Sequence, residues 1–382
     1  MQKYVSLIVV LLLLTSCSKK TDEDVVLTKS SFSELLGYEK DDASELYRAF
    51  RKSCDAISEK KGEYIDDSLI KINRNDYLDI CAKSAGINPQ KFKEFIENNF
   101  TPYLVTYKGS PEGKFTAYYE AEINASYDKD NTYKYPIYGR PYDLVEVTLK
   151  EFDEKLPSKK ILGRVDNGKL IPYYTRKEIY EKSINAPVIL WGDNYVDIYI
   201  MQIQGSAVAK LPNGKKIRVS YLESNGHEFK GIGSILLSKK LIPSGQASMG
   251  SIKKWLKENF DTAKDEMNEN QRYIFHRISD TEGPIGALGV DLTAGRSLAV
   301  DKTIIPLGAL LWLETTSPDN KELNRFVMAQ DIGGAIKGAV RGDFFWGSGG
   351  DDVLEKAGKM NSKGQYYILI PNKSETINDK NN

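Results

Sequence analysis

Three aspartates in the C-terminal third are the residues from which acid/base chemistry could be built. Asp301 closes Ser297-Leu-Ala-Val-Asp301, Asp331 sits in Gln330-Asp331-Ile332-Gly333-Gly334, and Asp343 sits in Arg341-Gly342-Asp343-Phe344-Phe345-Trp346-Gly347. Glycines let the backbone turn tightly and approach a ligand. A carboxyl group in such a bend, with aromatics to limit water, can have its pKa raised until it donates a proton near neutrality. Asp and Gly are also common turn formers, so the same segment suits plain turns. Asp331 reads as a support that orients Asp343, or as a second charge that keeps a proton on it. Asp301, beside an apolar run, reads as a brace or as part of a groove wall. Glu120 is the rival carboxylate, next to Tyr118-Tyr119, and a surface position on a strand is its simpler role.

Composition narrows the chemistry. Lys+Arg and Asp+Glu are equal at 53 each, which leaves no basic footprint for nucleic acid. The two histidines, His227 and His276, have no metal-ligand spacing and no serine triad around them, so neither zinc hydrolysis nor a Ser-His-Asp mechanism is supported. No metal or other cofactor is expected. The 23 tyrosines suit a protein that stacks on sugars, although tyrosine also serves β-structure generally.

Positioning these residues requires a scaffold that changes character along the chain. Leu46, Phe50, Cys54 and Ile57, then Tyr77, Ile80, Cys81 and Ala85, recur at helical spacing between Asp41 and Phe100. Cys54 and Cys81 could form a disulfide or remain buried thiols. After Pro102 the sequence turns to β-formers: Phe115–Ala121, Val188–Trp191, Tyr195–Ile203, and a hairpin over 207–219 with Asn213-Gly214 at its turn. A helix is expected over Ser248–Asn259. Short β-like runs from Ser297 to Ile370, broken by Gly and Pro, suggest a small barrel. Tyr118 and Tyr119 alternate in a strand, so one faces a core while the other can meet a sugar. Gln204 and Ser206 flank Gly205 and, in a strand, would share a face suited to hydrogen-bonding hydroxyl or acetamido groups.

The N-terminus has a charged start at Lys3, an apolar stretch from Val5 to Leu14, and Leu14-Thr15-Ser16-Cys17. That motif resembles the lipobox of bacterial lipoproteins. The resemblance implies a signal peptide at 1–16, a lipidated Cys17, a tether over 17–26, and, with Ser18 next, attachment to the outer membrane facing the periplasm.

The three aspartates, with Ile304-Ile305-Pro306-Leu307-Gly308 between the first two, resemble the "3D" domain. Tyr118-Tyr119-Glu120, Tyr135-Pro136-Ile137-Tyr138, Gln202-Ile203-Gln204-Gly205-Ser206, Asn225-Gly226, Ile232-Gly233 and Ser248-Met249 resemble, in order, the motifs of the membrane-bound lytic transglycosylase A family. Ala117, Ala121, Ala207 and Ile332 depart from the family pattern without removing a carboxylate. The resemblance implies a mainly β fold with an α-helical N-terminal part, in which a second β-barrel is inserted into a double-psi β-barrel and glycan strands lie between them. The implied boundaries are 27–121 for the helices and first part of the double-psi domain, 122–281 for the insert, 282–373 for the rest of the double-psi domain, and 374–382 for a tail. The implied reaction cuts the β-1,4 bond between N-acetylmuramic acid and N-acetylglucosamine in peptidoglycan and closes a 1,6-anhydro ring. The implied site is Asp343 as acid/base with Asp331, and Tyr118, Tyr119, Gln204, Gly205, Ser206, Asn225 and Asp301 around the substrate.

One carboxyl group suffices for that reaction. When the sugar's own C6 hydroxyl attacks, no water needs activating, whereas ordinary glycosidases need a second carboxylate. The rivals are a two-carboxylate muramidase using Asp343 with Asp331 or Glu120, and a non-catalytic, expansin-like wall-binding protein.

Overall fold

The computed structural model describes residues 24–245 and 247–372. The 1–16 leader, Cys17 and the 374–382 tail lie outside them. The expected tether ends sooner than its sequence suggests. Val25 and Val26 begin strand β1 (Val25–Lys29), whose ladder with the later strand Phe100–Tyr107 pairs Val25 with Tyr107 and Val26 with Thr106. Two adjacent valines suit an edge strand better than a solvated linker.

Helices α1 (Ser44–Ser58), α2 (Arg74–Lys83) and α3 (Phe92–Asn99) follow, as periodicity predicts. Leu46, Phe50, Cys54 and Ile57 form the buried stripe of α1. The Asn73 side chain caps α2 by accepting from the Asn75 and Asp76 amides. A disulfide joins Cys54 to Cys81 and clamps α1 to α2.

Next come β2 (Phe100–Tyr107) and the long β3 (Gly113–Ser126). The chain continues through β4 (Tyr135–Tyr138), β5 (Val145–Thr148), α4 (Leu149–Phe152), β6 (Lys160–Asp166), β7 (Lys169–Pro172), α5 (Arg176–Glu181) and β8 (Val188–Gly192). Then come α6 (Tyr195–Gln204), β9 (Ala207–Lys210), β10 (Lys216–Ser224), α7 (Ile232–Ser238), α8 (Met249–Glu258), α9 (Phe260–Asn268) and β11 (Ile274–Ser279). The last part holds β12 (Ser297–Ala299), β13 (Leu310–Thr316), β14 (Glu322–Asp331), β15 (Arg341–Gly349), α10 (Asp351–Lys359) and β16 (Asn361–Pro371).

Six strands close a ring in the order β3-β15-β12-β14-β13-β16, with β16 returning to pair with β3. Two of its pairings, β3 with β15 and β12 with β14, are parallel, and the others are antiparallel. Closure removes the edges that would otherwise template aggregation. The ring's interior holds Phe115, Leu298, Phe344 and Ile368, and the N-terminal helices pack outside it in the same apolar cluster. Tyr77 of α2 donates to the Gly308 carbonyl at 2.7 Å, and a buried Arg296–Asp41 ion pair at 2.9 Å ties the ring to the segment before α1.

Strand β3 does not stop at the ring. Ala121 pairs with Gly349 of β15 on one side and with Ala207 of β9 on the other, and beyond it Glu122–Asn124 run parallel to β9. A second sheet grows from this half in the order β4-β8-β3-β9-β10-β11, and β11 curls back beside β4 and β8. Strands β5, β6 and β7 form a separate sheet.

One expectation fails here. Tyr195–Ile203 is helix α6, not a strand. Seven of its ten residues are buried, so it is apolar on nearly every side and carries no helical stripe to betray it. Its boundary signals were legible. Asn194 caps it by accepting from the Val196 and Asp197 amides, and Gly205 ends it at φ 93°, a backbone angle that glycine adopts without steric cost.

Candidate active site

The site is built on one side of β3. Alternate residues Phe115, Ala117, Tyr119, Ala121 and Ile123 point into the apolar clusters, which leaves Thr116, Tyr118, Glu120 and Glu122 on the other side. Thr116 lies directly across from Asp343 of β15, and its hydroxyl donates to Asp343 Oδ1 in a short hydrogen bond. Arg341 Nη2 donates to the same threonine oxygen at 2.7 Å, so Arg341, Thr116 and Asp343 form a chain. Asp343 Oδ2 has no hydrogen-bond partner among the described residues. Burial pushes the Asp343 carboxyl up from its ordinary value, while the Thr116 hydroxyl and the Arg341 charge pull it back. Between Arg341 and Asp343, a side chain at Gly342 would press on Phe115 at 2.9 Å and Leu298 at 3.0 Å. Glycine there lets β15 lie close enough to β3 for the threonine–aspartate contact.

Asp331 ends β14 on the far side of β12. Ala299 pairs with Asp331 on one flank and with Asp343 on the other, so the two aspartates sit two strand spacings apart. That places their Cα atoms about 10 Å from each other. The residue between them in the sheet contributes only a methyl group. Asp331 Oδ2 accepts from the Tyr118 hydroxyl at 2.8 Å and Oδ1 from the Ala287 amide at 3.0 Å. Burial pushes Asp331 up to about 6; its hydrogen bonds oppose the rise, and the Asp343 charge adds to it. The sequence reading placed the raised pKa on Asp343, with Asp331 as the neighbouring charge. The structure raises both, and Asp343 is the charge that acts on Asp331. Burial is the first cause for both carboxyls, and the Asp343 charge adds a smaller push at Asp331.

The other expected site residues divide into those at the site and those around it. Tyr118 is at the site, its ring 5.2 Å from that of Phe345, and its hydroxyl serves Asp331. Tyr119 is buried in the second barrel's core, and its amide donates to Gln204 Oε1 at 3.3 Å, which ties α6 to β3. Because α6 is a helix, Gln204 and Ser206 do not share a strand face; Gly205 turns the chain between them, and Ser206 is buried. Phe344 and Trp346 turn away from Asp343 and pack together, rings 5.5 Å apart, as alternation predicts.

Asn225 and Asp301 occupy structural positions instead of the substrate positions expected of them. Asn225 is fully buried, donates to the Tyr174 and Gln271 carbonyls at 2.9 and 2.8 Å, and accepts from the Tyr273 amide at 2.9 Å. Asp301 is 2% exposed and receives the Gly338 amide at 2.8 Å and the Thr303 hydroxyl at 2.7 Å. Burial works to raise its pKa, but those donors outweigh it and hold the group below the usual carboxylate value. It fastens the loop that leads into β15. Glu120, expected on the surface, is 1% exposed and gripped by Arg218, Nε to Oε1 at 2.8 Å and Nη2 to Oε2 at 3.1 Å. Both carboxylate oxygens are thus committed to the guanidinium, which makes Glu120 a brace between β3 and β10.

Sequence reasoning missed Thr116 and Arg341. Both carried a signal, since Thr116 stands one strand period before Tyr118 and Arg341 one period before Asp343.

Residues 114–277 match the MltA specific insert domain, and residues 296–370 match the 3D domain. The crystal structure of MltA from Neisseria gonorrhoeae is 31% identical to this chain, covers 92% of each, and superposes with a TM-score of 0.75. The chain belongs to the MltA family. The chain is also similar to the crystal structure of a membrane-bound lytic murein transglycosylase from Agrobacterium tumefaciens, 29% identical over 90% of this chain and 97% of that one, with a TM-score of 0.79. The membrane-bound lytic murein transglycosylase A of Escherichia coli strain K12 is 28% identical over 266 residues, which are 67% of this chain and 65% of that protein. The match thus spans a little under two thirds of that MltA relative's length. The six-strand ring and the second sheet growing from β3 are the fold that family membership implies.

Proposed function

We propose that this chain is a peptidoglycan lytic transglycosylase that breaks the bond between N-acetylmuramic acid and N-acetylglucosamine and leaves a 1,6-anhydro end. The observation that carries the reading is the asymmetry of Asp343. One oxygen is fixed by Thr116 and the other faces no protein group, in a half-buried place that favours the protonated form. The proton passes from Asp343 to the leaving O4 of the glucosamine as the C1–O4 bond breaks. The same carboxylate then takes the proton from the muramic O6 hydroxyl as that oxygen bonds to C1. Asp343 ends as it began, and no water is consumed. Asp331, pinned on both oxygens, keeps a negative charge close by without competing for the sugar. The names of the family's curated members support the same activity.

In this reading, residues 27–121 and 282–373 build the double-psi domain, residues 122–281 are the insert, and the groove between them takes the glycan. Lipid at Cys17 holds the enzyme to the outer membrane on its periplasmic side. Relatives are named membrane-bound, and no helix among the described residues is long and apolar enough to cross a membrane.

Mass spectrometry of sacculi digested by wild type and by Asp343→Asn tests the reaction. Anhydro-muropeptides from the wild type, and almost none from the variant, are expected. A two-carboxylate hydrolysis by Asp343 with Asp331 would release reducing ends instead. Binding to sacculi without any cleavage would leave only a wall-binding role.

A further inference from the structure

The polar side of β3 continues past the aspartates. From Thr116 to Glu122 is six residues, about 20 Å along the strand. At its far end Glu122 helps to line a cavity of about 500 Å³ together with Lys215, Lys216, Arg218, Asp280 and Ser348. Two of the cations there are matched from β3 itself: Lys216 bonds Glu122 at 2.9 Å, and Arg218 bonds Glu120 at 2.8 Å. Lys215 and Asp280 are different. Both side chains are exposed, and neither makes a hydrogen bond or ion pair among the described residues. The cavity thus offers one unpaired charge of each sign on a rim whose other charges are neutralised. Strand β15 makes the same connection, because Asp343 and Ser348 lie on it and Ser348 donates to Glu120.

We propose that this cavity is a subsite for the peptide stem of the glycan, with Lys215 receiving a stem carboxylate and Asp280 a stem amine. The proposal rests on the transglycosylase reading and adds to it a preference for strands that carry peptides. A neutral saccharide can hydrogen-bond to either group but carries no charge to complement them. A purely anionic ligand would be repelled by Asp280, whereas an amphoteric peptide matches both. Because the cavity shares a strand face with the acid pair, a strand seated at Asp343 can reach it with a stem from a neighbouring sugar unit.

The test compares kcat/KM on stem-bearing glycan strands with kcat/KM on the same strands stripped of peptide by an amidase. The wild type should favour the stem-bearing strands. Lys215→Glu should lower the ratio of the two values roughly fivefold, as befits an exposed charge contact, and Asp280→Lys should lower it similarly. A ratio near one in the wild type, or one that neither variant moves, overturns the subsite. A second measurement does not depend on turnover. A soluble stem tetrapeptide titrated into the isotopically labelled wild-type protein should shift amide resonances at 215–218 and 279–281, and shifts confined to other regions overturn the proposal. If neither glycan yields anhydro products, the transglycosylase reading fails, while the peptide titration still decides whether the cavity binds stems.

Discussion

Two stretches of the same strand treat their carboxylates in opposite ways. Around Thr116 and Tyr118, Asp343 and Asp331 are half-buried, bonded to neutral hydroxyls and an amide, and raised in pKa. Four residues further on, Glu120 is more deeply buried than either but is held by a guanidinium on both oxygens. Depth alone therefore does not decide what a carboxylate is bonded to. A neutral hydroxyl partner leaves a desolvated carboxyl inclined to keep its proton, whereas a guanidinium on both oxygens uses the carboxylate as a brace between strands.

The largest effect should come from removing the open carboxyl. Asp343→Asn should lower turnover about 10²- to 10⁴-fold and leave the melting temperature near that of the wild type, measured on sacculi and by thermal denaturation. A variant that keeps its rate would erase the distinction between the two stretches. Glu120→Ala should do the reverse. It strands Arg218 beneath the sheet and should cost about 3–5 kcal/mol of stability, read by denaturant unfolding, with the same anhydro products from whatever remains folded.

The pH dependence sharpens the contrast. Asp331 has a folded pKa of about 6, above the ordinary carboxylate value that it regains on unfolding. Its protonated form is favoured by folding, so its contribution to stability is present at low pH and is lost as pH rises through about 6. Activity should fall as rising pH takes the proton from Asp343, whose carboxyl burial holds above its ordinary value. Tyr118→Phe removes a donor that opposes the rise at Asp331, and should move that loss of stability about one pH unit upward, seen in denaturant unfolding across pH. The smallest effect is expected at Lys216→Ala, whose ion pair with Glu122 lies largely in solvent and should be worth below about 1 kcal/mol; a larger loss would show this stretch to be more tightly coupled than its exposure implies.

Much of this was legible because strands write their faces into the sequence. The three-aspartate pattern, the β3 alternation and the opposed directions of Asp343 and Phe344 followed from residue order. Tyr195–Gln204 was not legible by periodicity, since a helix surrounded by core has no polar side to mark its turn. The roles of Glu120, Asn225 and Asp301 were hidden for a related reason. A polar residue satisfied by a distant segment looks the same in sequence as one awaiting a ligand. Arg218 lies 98 positions from Glu120, and no local spacing could connect them.

Ala121, flanked by one strand from each barrel, has a consequence for how this molecule can change. Deleting or inserting a single amino acid between Thr116 and Glu122 would reverse inside and outside for everything on one side of the edit. Either the aspartate pair would lose its hydroxyl partners to the interior, or the second core would expose Ile123 and swallow Glu122. Exposed surface loops tolerate changes in length far better, but this short span is a fixed ruler between the two halves.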